Sequence, residues 1–69
     1  MNIANIIEGL QIAQKYLSKS DDYICADHDI IYILRAYDVN GRPVVTDVDA
    51  QRLRELGFII EDDAWAAFV

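Results

Sequence analysis

The chain has one cysteine, one histidine, one proline and one tryptophan in 69 residues. A single cysteine excludes an intrachain disulfide. With only one histidine beside it, a closed zinc site of the usual Cys/His type within one chain is excluded too. Cations are scarce: 6 Lys+Arg stand against 12 Asp+Glu, a net charge of −6. An acidic surface repels nucleic acid and anionic membranes, so neither is expected as a direct partner. No apolar run approaches the roughly 20 residues of a membrane span. The N-terminus lacks the basic-then-apolar pattern of a signal peptide, and the cytoplasm is the expected compartment. No motif marks a small-molecule substrate or a cofactor, so no enzyme is expected.

What is present is apolar: 54% of residues are hydrophobic and 26% charged, which argues for a folded domain over disorder. Residues 1–69 are expected to form one small domain. A chain of this size buries only about 60% of the surface its unfolded form exposes. Without a disulfide or metal it relies on packing, and a protein partner or self-association would help.

The spacing predicts a helix over residues 3–19. Ile3, Ile6, Ile7, Leu10, Ala13 and Leu17 form the expected buried stripe. Ile12 and Tyr16 widen it toward a second face, while Glu8, Gln11, Gln14, Lys15 and Lys19 supply the wet side. Asn2 is the expected N-cap. Gly9 costs about 1 kcal/mol relative to Ala in mid-helix, which points to close approach of another element. A polar stop follows at 18–22.

Two short apolar runs come next, Tyr23-Ile24-Cys25-Ala26 and Ile30-Ile31-Tyr32-Ile33-Leu34. A hairpin with His28-Asp29 at its tip is the simplest reading; one long strand bulged at Asp27-His28-Asp29 is the alternative. The second run is apolar on both faces, as in a central strand covered on each side. Asn40-Gly41 signals a type I′ turn in a protruding loop, with Pro43 confined to an edge.

The last third carries the densest local signals. Thr46 is an N-cap, Asp49 its capping-box partner, and Val45 a staple onto Ala50. Ala50, Leu53 and Leu56 form a buried stripe, and Gly57 followed by Phe58 fits a Schellman stop. A final hairpin turns at Asp62-Asp63 and aligns Ile60 with Trp65. Alternation puts Phe58, Ile60, Trp65, Ala67 and Val69 on the core face, and Ile59, Glu61, Ala64, Ala66 and Phe68 on the other. The expected class is α+β in the order α-β-β-α-β-β, with a mainly antiparallel sheet of about four strands and both helices on one face.

Three pieces share a recurrent pattern: Ala26-Asp27-His28-Asp29-Ile30-Ile31-Tyr32, Leu53-Arg54-Glu55-Leu56-Gly57-Phe58 and Trp65-Ala66-Ala67-Phe68-Val69. The pattern resembles that of small phage and bacterial proteins with no assigned activity. It covers roughly the C-terminal two-thirds, leaving out the first helix and the Pro43 loop. The resemblance implies a phage or mobile-element origin and brings no catalytic or binding residue with it.

Three features have a functional reading. Asp27-His28-Asp29 is the only cluster of metal-binding or acid–base character, but adjacent strand residues point to opposite sides, and a polar turn explains it. Glu61, Asp62 and Asp63, with Asp21, Asp22, Asp27 and Asp29, would make an acidic surface imitating nucleic-acid phosphates, an inhibitor of a DNA-binding host protein; turn chemistry and solubility are the favoured explanation, since net −6 is modest for a mimic and Arg35, Arg42, Arg52 and Arg54 interrupt the field. Ile59 and Phe68, with Tyr32 or Tyr37, would form an exposed apolar patch on the sheet face that the helices leave open, a surface for self-association or for a host protein. The competing structural reading is that the sheet curls, or that the 37–45 loop folds over that face. The candidate interaction residues are therefore Ile59, Phe68, Glu61, Asp62 and Asp63, and the expected function is a non-enzymatic protein-binding module.

Overall fold

Local chemistry sets the start of each helix, and tertiary contacts set where the first one stops. The computed structural model describes residues 1–17 and 25–68. The polar stop at 18–22, Tyr23, Ile24, Val69 and the side chains of Cys25 and Asp27 lie outside the described residues. In α1 (Ile3–Gln14) the Asn2 side chain accepts the Asn5 N–H at 2.8 Å, as an N-cap should. The helix ends earlier than its periodicity suggests, with Lys15 as cap. Beyond it the backbone tightens, and the Tyr16 N–H donates to the Ala13 carbonyl at 2.9 Å. The reason is the second helix, whose N-terminus holds both Lys15 and Tyr16.

In α2 (Asp47–Leu56), Thr46 Oγ1 accepts the Asp49 N–H at 3.2 Å. The expected capping box stays half open. The Asp49 carboxylate accepts from Tyr16 and Lys15 instead, and the Thr46 N–H donates to Tyr16 Oη at 3.3 Å. At the other end Gly57 takes φ 104°, a left-handed conformation that glycine adopts without strain. Gly57 N–H reaches the Arg54 carbonyl at 3.0 Å and Phe58 N–H reaches that of Leu53 at 2.9 Å, the paired bonds of a Schellman stop.

Strands β1 (Cys25–Asp27), β2 (Ile30–Arg35), β3 (Ile59–Glu61) and β4 (Ala64–Phe68) form one sheet in the order β1-β2-β4-β3, antiparallel throughout. Asp27 pairs with Ile30 across the His28-Asp29 turn, so the first pair is a hairpin and not one bulged strand. A bulge does occur, but inside β2: Tyr32 lies opposite Ala66 and Leu34 opposite Trp65, leaving Ile33 as the extra residue. The bulge resets the alternation. Ile31, Ile33, Leu34 and Ala36 all reach the core, while Ile30, Tyr32 and Arg35 belong to the other face. The unbroken apolar run of β2 therefore reflects the bulge, not cover on both sides.

The β3–β4 hairpin has the expected register, Ile60 opposite Trp65 and Ile59 opposite Ala66. Asp62 and Asp63 take φ 51° and 61°, as a two-residue type I′ loop requires. Ile60 shares the face of Trp65, yet it sits on an edge strand and is 36% exposed. In the 37–45 loop only Gly41 has positive φ, 77°, so the Asn40-Gly41 step is not type I′. Gly41 N–H instead reaches the Asp38 carbonyl at 3.0 Å, and Asp38 Oδ1 accepts from the N–H groups of Asn40 and Arg42 at 2.8 and 3.0 Å. A type I turn with a following glycine bulge fits these bonds, closed by a bridge between Tyr37 and Pro43.

Trp65, Phe58 and Leu53 are the largest fully buried side chains. Ile12, Ala13 and Leu56 from the helices join them on the inner face of the sheet. The expected stripe of α1 is the main correction. Ile3, Ile7, Leu10 and Leu17 are exposed, and the buried side runs through Gly9, Ile12 and Ala13, with Tyr16 packed against the core. The physical reason lies at Gly9. A Cβ there would stand 2.2 Å from the Phe58 ring, so only the glycine side of the helix can approach that ring.

Candidate interaction surface

The outer sheet face is built by strand alternation. Ala66 lies at its centre, directly opposite Ile59 on β3 and Tyr32 on β2. Phe68, two residues further along β4, pairs with Ile30. These side chains lie outside the main core cluster. Ile59 is 41% and Phe68 59% exposed, Ile30 and Tyr32 are half-buried, and Ala66 between them is fully buried. The result is an apolar strip across three strands, flanked at one end by Arg35 and Glu61, which both lie opposite Ala64. Tyr32 belongs to this strip and Tyr37 does not. Tyr37 and Pro43 line a groove of about 360 Å³ on the helix side, together with Trp65, and Val45 is buried in the core. The 37–45 loop therefore packs on the helix side and not over the outer strip.

Among the described residues the acidic turns do not gather in one place; Asp21, Asp22 and the Asp27 side chain lie outside the described residues. Glu61, Asp62 and Asp63 are exposed at one end of β4, beside the pair Arg35 and Ala64. The His28-Asp29 turn sits beside the pair Ile30 and Phe68 at the other end. Four residues of extended strand separate the two ends, about 13 Å. Neither a shared metal site nor one continuous acidic field forms from these two turns.

Polar groups concentrate instead between the helices, where the sequence reading placed a wet side. The Asn5 side-chain amide donates to the Leu56 carbonyl at 3.1 Å, satisfying an end carbonyl of α2. Arg52 grips Glu8 with two bonds, Nε at 2.5 Å and Nη2 at 2.9 Å, and that hydrogen bonding holds the Glu8 carboxyl below its usual range. Lys15 Nζ lies 2.8 Å from Asp49, whose side chain is only 15% exposed. Hydrogen bonds from Lys15 and then from Tyr16 hold the Asp49 carboxyl down, and Asp49 in turn raises Lys15. These contacts run in opposite chain directions along the two helices and lock them antiparallel. They are structural, since each carboxylate is already occupied.

Two features escaped the sequence reading. In the helix-side groove the Arg54 guanidinium lies 5.2 Å over the Trp65 ring, and Trp65 Nε1 is buried with no hydrogen-bond partner among the described residues. Nothing local in the sequence announces that stacking, because it joins α2 to β4. The second is the exposed apolar row on α1, and here a signal was present. Positions 3, 7, 10 and 14 of the helix alternate spacings of four and three without a charge, whereas the true inner side holds the glycine. No helix among the described residues is long and apolar enough to cross a membrane.

No family model matches this chain, and neither a curated protein nor a solved structure matches it.

Proposed function

We propose that this chain is a non-enzymatic, cytoplasmic protein-binding module of phage or mobile-element type, working through the outer face of its sheet. The observation that carries the reading is the pair of exposed apolar side chains Ile59 and Phe68 on the outer sheet face, on either side of the buried Ala66. Large exposed apolar side chains that adjoin on a flat face mark contact sites more often than isolated ones do. Glu61, Asp62 and Asp63 border the strip and would favour a partner with a basic rim. The experiment compares the wild-type chain with an Ile59→Ser/Phe68→Ser variant as bait in a lysate of its own cells. The wild type is expected to retain a protein that the variant loses, with the melting temperature little changed. Equal retention by both, or retention of nothing, overturns the reading.

A second reading, mimicry of nucleic-acid phosphates toward a DNA-binding protein, has one specific observation in its favour. Asp62 and Asp63 are two successive non-glycine residues at positive φ, where Asn-Gly would be more relaxed. Strain kept at a charged tip is consistent with a use for the charges. An Asp62→Asn/Asp63→Gly variant should gain about 1 kcal/mol of stability. If the reading holds, it should also lose any salt-sensitive binding to a basic DNA-binding protein. Unchanged binding removes the reading, and the gain in stability rules out unfolding as the cause of a loss.

A further inference from the structure

We propose that the helix-side groove beside Trp65 is a binding site for a small monocarboxylate with an apolar body, held by Arg54. The groove encloses about 360 Å³, within the size range of small-molecule sites. Pro43, Val45, Ala50, Ile60 and Trp65 make its apolar wall, and Arg54 brings a positive charge to it. The two arginines of α2 differ in what they hold. Arg52 is paired with Glu8 and Glu55. Arg54 has no carboxylate partner among the described residues, and its guanidinium lies instead 5.2 Å over the Trp65 ring. Stacking uses the face of a guanidinium and leaves its edge of N–H donors free. The ring therefore orients the fork, and the fork matches the two oxygens of a carboxylate.

A second observation calls for the same kind of atom. A buried indole N–H ordinarily has an acceptor. Trp65 is 2% exposed, and its Nε1 has none among the described residues. Arg54 and Trp65 thus bring unanswered donors to one groove, and a carboxylate is made only of acceptors. Charge narrows the ligand further. Asp47 lines the same groove two helical turns from Arg54, about 10 Å along the axis. The chain as a whole carries −6. Both disfavour a ligand with more than one negative charge, so a phosphate or an acidic peptide fits poorly. One cation beside an apolar wall suits one carboxylate on an apolar body. Arg54 and Gln51 are exposed at the groove, which leaves the fork within reach of a ligand from solvent.

This site goes beyond the protein-contact reading and shares no residue with Ile59 and Phe68, so either can fail alone. The chain has one tryptophan, so an isotope-labelled sample gives one indole N–H resonance that reports on the groove. Phenylacetate, titrated from about 10 μM to about 10 mM at constant ionic strength, should shift that resonance saturably. Phenylacetamide keeps the shape without the charge, and inorganic phosphate keeps charge without the apolar body. Each should bind at least about 10-fold more weakly. Arg54→Gln should lose about 10-fold or more in affinity for phenylacetate, because a charge-assisted contact is removed. Arg54→Lys should recover only part of that loss, since it restores the charge and not the fork. If Arg54→Gln does not fold, Gln51→Glu replaces it. That variant leaves Arg54 and Trp65 in place, sets a carboxylate in the groove and should weaken binding as much. Ile59→Ser/Phe68→Ser should bind phenylacetate like the wild type. No saturable shift with phenylacetate, equal affinity for phenylacetamide or phosphate, or undiminished binding by the Arg54→Gln or Gln51→Glu variant each overturns the proposal.

Discussion

The two helices divide their work in opposite ways. α1 carries the greater number of large apolar residues, yet it turns most of them to solvent and meets the core through Gly9, Ile12 and Ala13. α2 is largely polar, yet its Leu53 and Leu56 are buried and it closes on the core with a Schellman stop. The difference teaches that the apolar content of a helix does not fix how much of it the domain uses. Shape does: α2 offers two large side chains to a space that fits them, and α1 offers a flat place beside Phe58.

The contrast can be broken most directly by truncation. Leu53→Ala, at a fully buried site, should cost about 2–5 kcal/mol. Leu10→Ala, measured in dilute solution, should cost less than about 1 kcal/mol despite removing the same atoms. Urea unfolding of both variants checks this, and equal losses would erase the distinction between the helices.

Gly9 sharpens the comparison next. Helix propensity alone says that Gly9→Ala should stabilise α1 by about 1 kcal/mol. The overlap of the new Cβ with the buried Phe58 ring says the opposite, and a net loss of about 1–3 kcal/mol is expected. A thermal melt decides the sign. A raised melting temperature would mean that the ring moves aside and that Gly9 is not what orients the helix.

The smallest effect concerns the polar contacts joining the pair. Asp49 and Glu8 both have carboxyls held below their usual range by their cationic partners. A lowered folded-state pKa gives stability that is complete above the unfolded-state value and is lost as pH falls through the folded-state value. The helix pairing should therefore weaken only below the ordinary carboxylate range, not near neutrality. Asp49→Asn should be less stable than the wild type at neutral pH and lose less on acidification, read as urea midpoints at neutral and acid pH. Parallel acid profiles would show that this ion pair contributes nothing. High salt should reduce the effect as well, since the Lys15 side of the pair is exposed.

The sheet was legible in part and for clear reasons. The Thr46 cap, the Gly57 stop and the Asp62-Asp63 turn each depend on a few neighbouring residues, so the order of residues carries them. Once that turn is placed, strand alternation puts Ile59 and Phe68 on one face with no further information. The bulge in β2 was not legible, because an unbroken run such as Ile30 to Leu34 has no alternation to interrupt. Nor was the fate of Asp49, whose carboxylate finds Tyr16 and Lys15, more than thirty positions away along the chain, before it can close a local box.

The sequence by itself determined the Asn2 and Thr46 N-caps, the Gly57 stop, the Asp62-Asp63 turn, the α+β class and the parity of the last hairpin, since these follow from contacts within a few residues. Only the tertiary structure decided which side of α1 faces in. Two apolar rows competed there, and periodicity favours the larger side chains. The choice went to the row containing Gly9, because close packing against a buried ring depends on the absence of a Cβ, and that advantage exists only once Phe58 has been brought alongside.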